Sequence, residues 1–158
     1  MNSPSPARIS SHVRGLTAML SLVVVGAVVL VGCSSPASTA PGSTVNVTLT
    51  EWAVVVDKAS VPAGKVTFDV TNSSTFFKHE MVVLKTDLDP AALPADSTGK
   101  ADEGTSVGEV SELDKGATGS VTLDLAAGKY VLICNIVESG GGHESHYTQG
   151  MRLAFTVS

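Results

Sequence analysis

Short apolar runs with a period of two residues dominate the chain beyond residue 43. Val45, Val47 and Leu49 alternate with Asn46, Thr48 and Thr50. Val66, Phe68 and Val70 alternate with Thr67, Asp69 and Thr71, and Val121, Leu123 and Leu125 with Thr122 and Asp124. Leu153, Phe155 and Val157 share one parity in the last run. Side chains of an extended backbone point alternately to its two faces, so each run presents one apolar face. The runs are short, mostly β-branched and bounded by Gly, Pro, Asn or Ser, which marks strands. Pro62-Ala63-Gly64 and Ala126-Ala127-Gly128 read as turns feeding the strands that follow. Helical spacing is nowhere sustained, and no internal repeat is visible. The pattern predicts an all-β sandwich of about seven to eight strands. Residues 87–108 break it, being polar, acidic and rich in Ala, Gly and Pro. They read as a long solvated acidic connection with room for a short helical turn, and Asp87, Asp89, Asp96, Asp102 and Glu103 could steer a basic partner.

The apolar character of the chain is unevenly spread. Arg8 and Arg14 precede an uncharged apolar run over residues 15–32. A basic start before such a run reads as an export signal, with an uncleaved membrane anchor as the rival. Leu30-Val31-Gly32-Cys33 resembles the lipobox of bacterial lipoproteins. The resemblance implies cleavage before Cys33 and a lipid on its thiol, and therefore an extracytoplasmic protein anchored to the membrane of a bacterial envelope. The organisation expected is a signal peptide over residues 1–32, a lipidated Cys33 with a Ser/Pro/Ala/Gly tether to residue 43, and one folded domain over 44–158. Loss of residues 1–32 removes Arg8 and Arg14 and no acid, leaving 8 basic against 15 acidic residues, so the net charge moves from -5 to -7. An acidic domain without a basic stripe is not a nucleic-acid binder. It is repelled by anionic lipid, so the lipid anchor carries the membrane contact.

Two cysteines in an exported chain would ordinarily suggest a Cys33–Cys134 disulfide. The lipobox takes Cys33 away and leaves Cys134 as a lone thiol that needs a reason. Cys134 follows the apolar run 129–133, with His143, His146 and Met151 downstream. His79 stands far upstream, and the one other histidine, His12, lies in the signal. One thiolate, two imidazoles and a thioether form a soft donor set. A His₂Cys plane with a long axial Met suits a single copper ion cycling between Cu(I) and Cu(II). Zinc would accept Cys and His but gain little from Met.

At these residues the chain resembles the cupredoxins, the type 1 blue copper proteins. The segments that carry the resemblance are 62–72, ending at Asn72, the strand 130–135 around Cys134, and 146–151, with Gly150 before Met151. It extends over nearly all of residues 44–158. It implies a Greek-key β-sandwich with His79, Cys134, His146 and Met151 as copper ligands. The spacing to Met151 favours His146 over His143, which would then be a solvent-facing or labile outer residue. Cys134 shares parity with Tyr130 and Leu132, Met151 with Leu153 and Phe155, and His79 with Met81 and Val83, so all can face one interior. Two departures stand out. The eleven residues between Cys134 and His146 exceed the family's usual few, and residues 137–145 read as an insertion bulging outward on its glycines. Glu80 follows His79 where many members carry an Asn that ties the ligand loops together. Met81 reads as core, Trp52 as core or a rim aromatic, and Phe76 and Phe77 as packing or as a wall between site and water.

The leading functional expectation is a membrane-anchored copper protein, not an enzyme, that transfers single electrons to a redox protein partner. The alternative is an envelope copper chaperone, store or sensor with a copper-trafficking partner, to which His143, Glu138 and Glu144 would lend exchangeability. A copper oxidase would need further ions and His-x-His motifs, which are missing. A Cys/His hydrolase with Cys134 as nucleophile is the remaining enzyme reading.

Overall fold

A computed structural model describes residues 42–140 and 144–158. Residues 1–32, Cys33 and His143 lie outside them, so the export signal, the lipid site and the alternative histidine ligand rest on sequence. Among the described residues no helix is long and apolar enough to cross a membrane.

The predicted strands form, and the alternation decides what each one buries. One sheet is built from β1 (Ser43–Thr50), β2 (Ala53–Val56), β4 (Gly64–Asn72) and β7 (Thr118–Leu125), in the order β2-β1-β4-β7. The other holds β3 (Ser60–Val61), β5 (His79–Lys85), β6 (Ser106–Leu113), β8 (Gly128–Ile133) and β9 (Arg152–Val157), in the order β3-β9-β8-β5-β6. β1 and β4 run parallel, with Val45 opposite Phe68, whereas β4–β7 and β8–β9 are antiparallel. Between the sheets lie Val45, Val47, Leu49, Val66, Phe68, Val70, Met81, Val83, Tyr130, Leu132, Phe155 and Val157. Phe68 and Phe155 meet edge to face across this interior, with ring centroids 5.4 Å apart.

Among the described residues nine strands stand where about seven to eight were expected. The excess comes from short pieces such as β3, whose two residues cannot display an alternation. The 87–108 stretch is also more structured than a solvated loop. It holds a 3-10 turn at Pro90–Ala92, a bridge between Ala95 and Ala101, and the start of β6. Leu93 and Ala101 pack with Tyr147 on Val82, Leu84, Val131 and Ile133, forming a second apolar cluster. This explains why β5 and β8 read as unbroken apolar runs: both of their faces are covered. Three Asp residues of this stretch close local turns, Asp89 accepting from Ala91 N, Asp96 from Thr98 N and Asp102 from Gly104 N.

Candidate metal centre

Three segments bring their polar side chains to one end of the interior. Asn72, buried at the end of β4, donates through its amide to the carbonyls of Phe77 and Leu113 and accepts from Ser74 N. The Glu51 carboxylate accepts from Ser74 Oγ at 2.6 Å and Thr75 N at 2.8 Å, and these bonds, led by Ser74, lower its pKa to about 2. The segment before β5 is thereby pinned. β5 then begins at His79, which shares the parity of Met81 and is buried with it, while the register irregularity between them falls on the facing strand β6. Cys134 follows β8, and a single helical turn, α1 (His146–Gln149), carries His146. Backbone bonds join the downstream pieces: Met151 N to His146 O at 3.0 Å, and Cys134 N to Met151 O at 3.0 Å.

His79, Cys134 and His146 meet there, all wholly buried. His79 Nδ1 and His146 Nδ1 are 3.1 Å apart. Cys134 Sγ lies 3.6 Å from the first and 3.3 Å from the second. A point equidistant from the three atoms is about 1.9 Å from each, near the roughly 2.0–2.3 Å that imidazole and thiolate keep from a first-row metal ion. Neither Nε2 has a well-formed hydrogen bond. Glu138 Oε1 stands 3.2 Å from His146 Nε2, within ion-pair reach but outside hydrogen-bonding geometry. The two Nδ1 atoms and the sulfur therefore face one another across a space that a cation would satisfy. Met151 is also fully buried, in the core cluster that contains Cys134.

Protonation is set mainly by burial. It pushes the Cys134 thiol up to about 12, although Glu80 N donates to Sγ at 3.4 Å and opposes the rise. It lowers His79 to about 4, helped by His146, and lowers His146 as well, with Glu138 pulling the other way. Both imidazoles are thus neutral donors at neutral pH, and the thiol keeps its proton until a metal displaces it.

No protein-family model matches the sequence, and no curated protein matches it. Solved structures do. The dithionite-reduced auracyanin from the photosynthetic bacterium Roseiflexus castenholzii is 27% identical, with a TM-score of 0.55, over 73% of this chain and 97% of its own. Auracyanin A, a "blue" copper protein from Chloroflexus aurantiacus, is 25% identical with a TM-score of 0.51, over 75% of this chain and 100% of its own. Rusticyanin from Thiobacillus ferrooxidans shares the fold at 18% identity and a TM-score of 0.53, covering 75% and 79% of the two chains. The chain has the cupredoxin fold.

Within this fold the two departures take definite forms. The Glu80 side chain accepts from Asn135 N at 3.2 Å, while its own N–H reaches Cys134 Sγ. A carboxylate thus ties the two ligand segments together, and burial raises its pKa. The described ends of the insertion do not bulge outward. Val137 bridges Ser145, and Glu138 N donates to Glu144 O, which lays the Glu138 carboxylate against His146. The aromatics divide. Phe76 is 74% exposed and walls nothing off, whereas the rings of Phe77 and Trp52 stand 5.5 and 5.4 Å from the His146 ring. Trp52 has φ 63°, a left-handed conformation that costs a non-glycine residue about 1–2 kcal/mol. Only the tight turn between β1 and β2 requires it, and the Trp52 signal in sequence would have been an aromatic at a turn position that favours Gly or Asn.

Proposed function

We propose that this chain is a mononuclear copper protein that transfers single electrons at the bacterial envelope, held to the membrane by a lipid on Cys33. His79, Cys134 and His146 would hold the ion, with Met151 as a prospective fourth ligand. Bound there, copper supplies a one-electron couple. The observation that carries the reading is the buried Nδ1–Nδ1–Sγ triangle in a fold shared with a "blue" copper protein. Cys134 contributes the thiolate after losing one proton, and the two neutral imidazoles contribute lone pairs without losing any. Asn72, Glu80 and the α1 turn fix the donor atoms from outside, so that they have little freedom to rearrange when the charge of the ion changes. Phe77 and Trp52 keep water off the His146 face. A lipid anchor would raise the protein's effective concentration near membrane redox partners.

The test is to titrate the purified protein with Cu(II). An intense thiolate-to-copper absorption band, narrow EPR hyperfine splitting and reversible one-electron reduction are expected, all lost in Cys134→Ser. A folded protein showing neither band nor narrow splitting overturns the reading. Slow redox cycling combined with ready transfer of copper to an apo-acceptor would replace electron transfer by chaperoning.

A further inference from the structure

The insertion between Cys134 and His146 supplies a carboxylate to a ligand from the side remote from the metal position. His146 presents Nδ1 to Cys134 and His79, and its opposite nitrogen, Nε2, is buried 3.2 Å from Glu138 Oε1. Backbone bonds hold this contact in place. His146 N donates to Ile136 O at 2.9 Å, Glu138 N to Glu144 O at 3.0 Å, and Val137 pairs with Ser145. Glu138 and His146 therefore stand on facing arms of one closed piece of backbone. The Glu138 side chain is 35% exposed, so its charge is only partly screened.

We propose that Glu138 is a positioning residue for the metal centre: its negative charge, at ion-pair distance from Nε2, favours the His146 proton on that nitrogen, which leaves the Nδ1 lone pair for the ion, and favours Cu(II) over Cu(I). The physical basis is general. A carboxylate behind a ligating imidazole selects the tautomer and raises the basicity of the donor nitrogen, and a nearby negative charge stabilises the more positive oxidation state. The inference rests on the copper reading above for its redox half, whereas its tautomer half concerns the metal-free protein.

The experiment compares wild type, Glu138→Gln and Glu144→Gln. The hydrogen bonds that hold the arms together are backbone ones, so neither substitution removes them. Glu144→Gln deletes the same unit charge from the same segment without touching the His146 ring. In Glu138→Gln the reduction potential should rise and Cu(II) affinity should fall about 10–100-fold, with Cu(I) affinity falling less. The ¹⁵N signature of His146 in the metal-free protein should also lose its preference for the Nε2–H tautomer. Glu144→Gln, whose charge acts on His146 more weakly than that of Glu138, should move the potential and the Cu(II) affinity less and leave the tautomer as in wild type. The proposal is overturned if Glu138→Gln keeps the wild-type potential and tautomer, or if Glu144→Gln shifts the potential as far as Glu138→Gln does. Should wild type bind no copper through Cys134, the function proposed above fails instead, and the metal-free tautomer still decides the role of Glu138.

Discussion

Glu80 does two things from one position. Its main-chain N–H points at the Cys134 sulfur, and its side chain receives the N–H of Asn135, the next residue along. Asn135 is itself committed, donating to the carbonyl of Ala101 at 2.9 Å and to Glu103 at 2.6 Å, and accepting from Ala101 N. The sulfur is thus held between two backbones that one carboxylate joins. Glu80→Gln keeps an oxygen able to accept from Asn135 N, whereas Glu80→Ala leaves that N–H without its partner. An unmet hydrogen bond of this kind costs about 1–3 kcal/mol. Urea denaturation should therefore show Glu80→Ala clearly less stable than wild type and Glu80→Gln close to it. Equal losses in the two variants would mean that the charge, and not the hydrogen bond, is what matters.

At the scale of the element, α1 cannot stand alone. Four residues are far too few to sustain a helix in water, so the turn depends on its ends. Ser145 Oγ accepts from Thr148 N at the N-terminus and donates to Gly99 O in the covering stretch. Gly150 closes the other end with φ 126°, and a Cβ there would stand 3.0 Å from the Trp52 carbonyl. His146 opens this turn and Met151 follows it, so its caps set the spacing of two prospective ligands. Ser145→Ala should lower stability by about 1–2 kcal/mol and broaden the copper EPR spectrum, because His146 gains freedom. A destabilised protein with an unchanged spectrum would show that the Met151-to-His146 and Cys134-to-Met151 backbone bonds position the ligands without the cap.

For the molecule as a whole, the burial that shapes the centre also makes the metal-free protein sensitive to acid. His79 is lowered from 6.5 to about 4, so the unfolded chain takes up its proton first. The stability this group contributes is complete above pH 6.5 and is lost as pH falls toward 4. Glu51, lowered from 4.5 to about 2 by its hydrogen bonds, extends the loss into stronger acid. Glu80 works in the opposite sense, since its raised pKa favours the fold at low pH and disfavours it as pH rises. Between pH 7 and pH 4 the two lowered imidazoles, His79 and His146, outweigh Glu80, so the melting temperature of the metal-free protein falls over that range. Bound copper should oppose the fall, because a ligand that binds only the folded state stabilises it. A flat profile for the metal-free protein would contradict the buried, neutral imidazoles.

The all-β class and the inward face of most strands are legible from local pattern alone, since a period of two is written in runs such as Val66–Phe68–Val70. The same parity argument put Cys134, Met151 and His79 on interior faces, and all three are buried there. Spacing to Met151 favours His146 over His143; His146 Nδ1 lies 3.3 Å from Cys134 Sγ, and His143 is outside the described residues. What the sequence left open depends on contacts between distant segments. The Asn135-to-Glu80 bond spans 55 positions, and the Leu93 and Ala101 cover over β5 and β8 depends on how the 87–108 stretch folds back. Glu138 is only eight residues from His146, yet nothing local says whether an insertion rich in glycine turns toward the ligand or away. Pairing of Val137 with Ser145 decides it, because antiparallel backbone bonds fix which arm faces which, and that choice belongs to the tertiary structure.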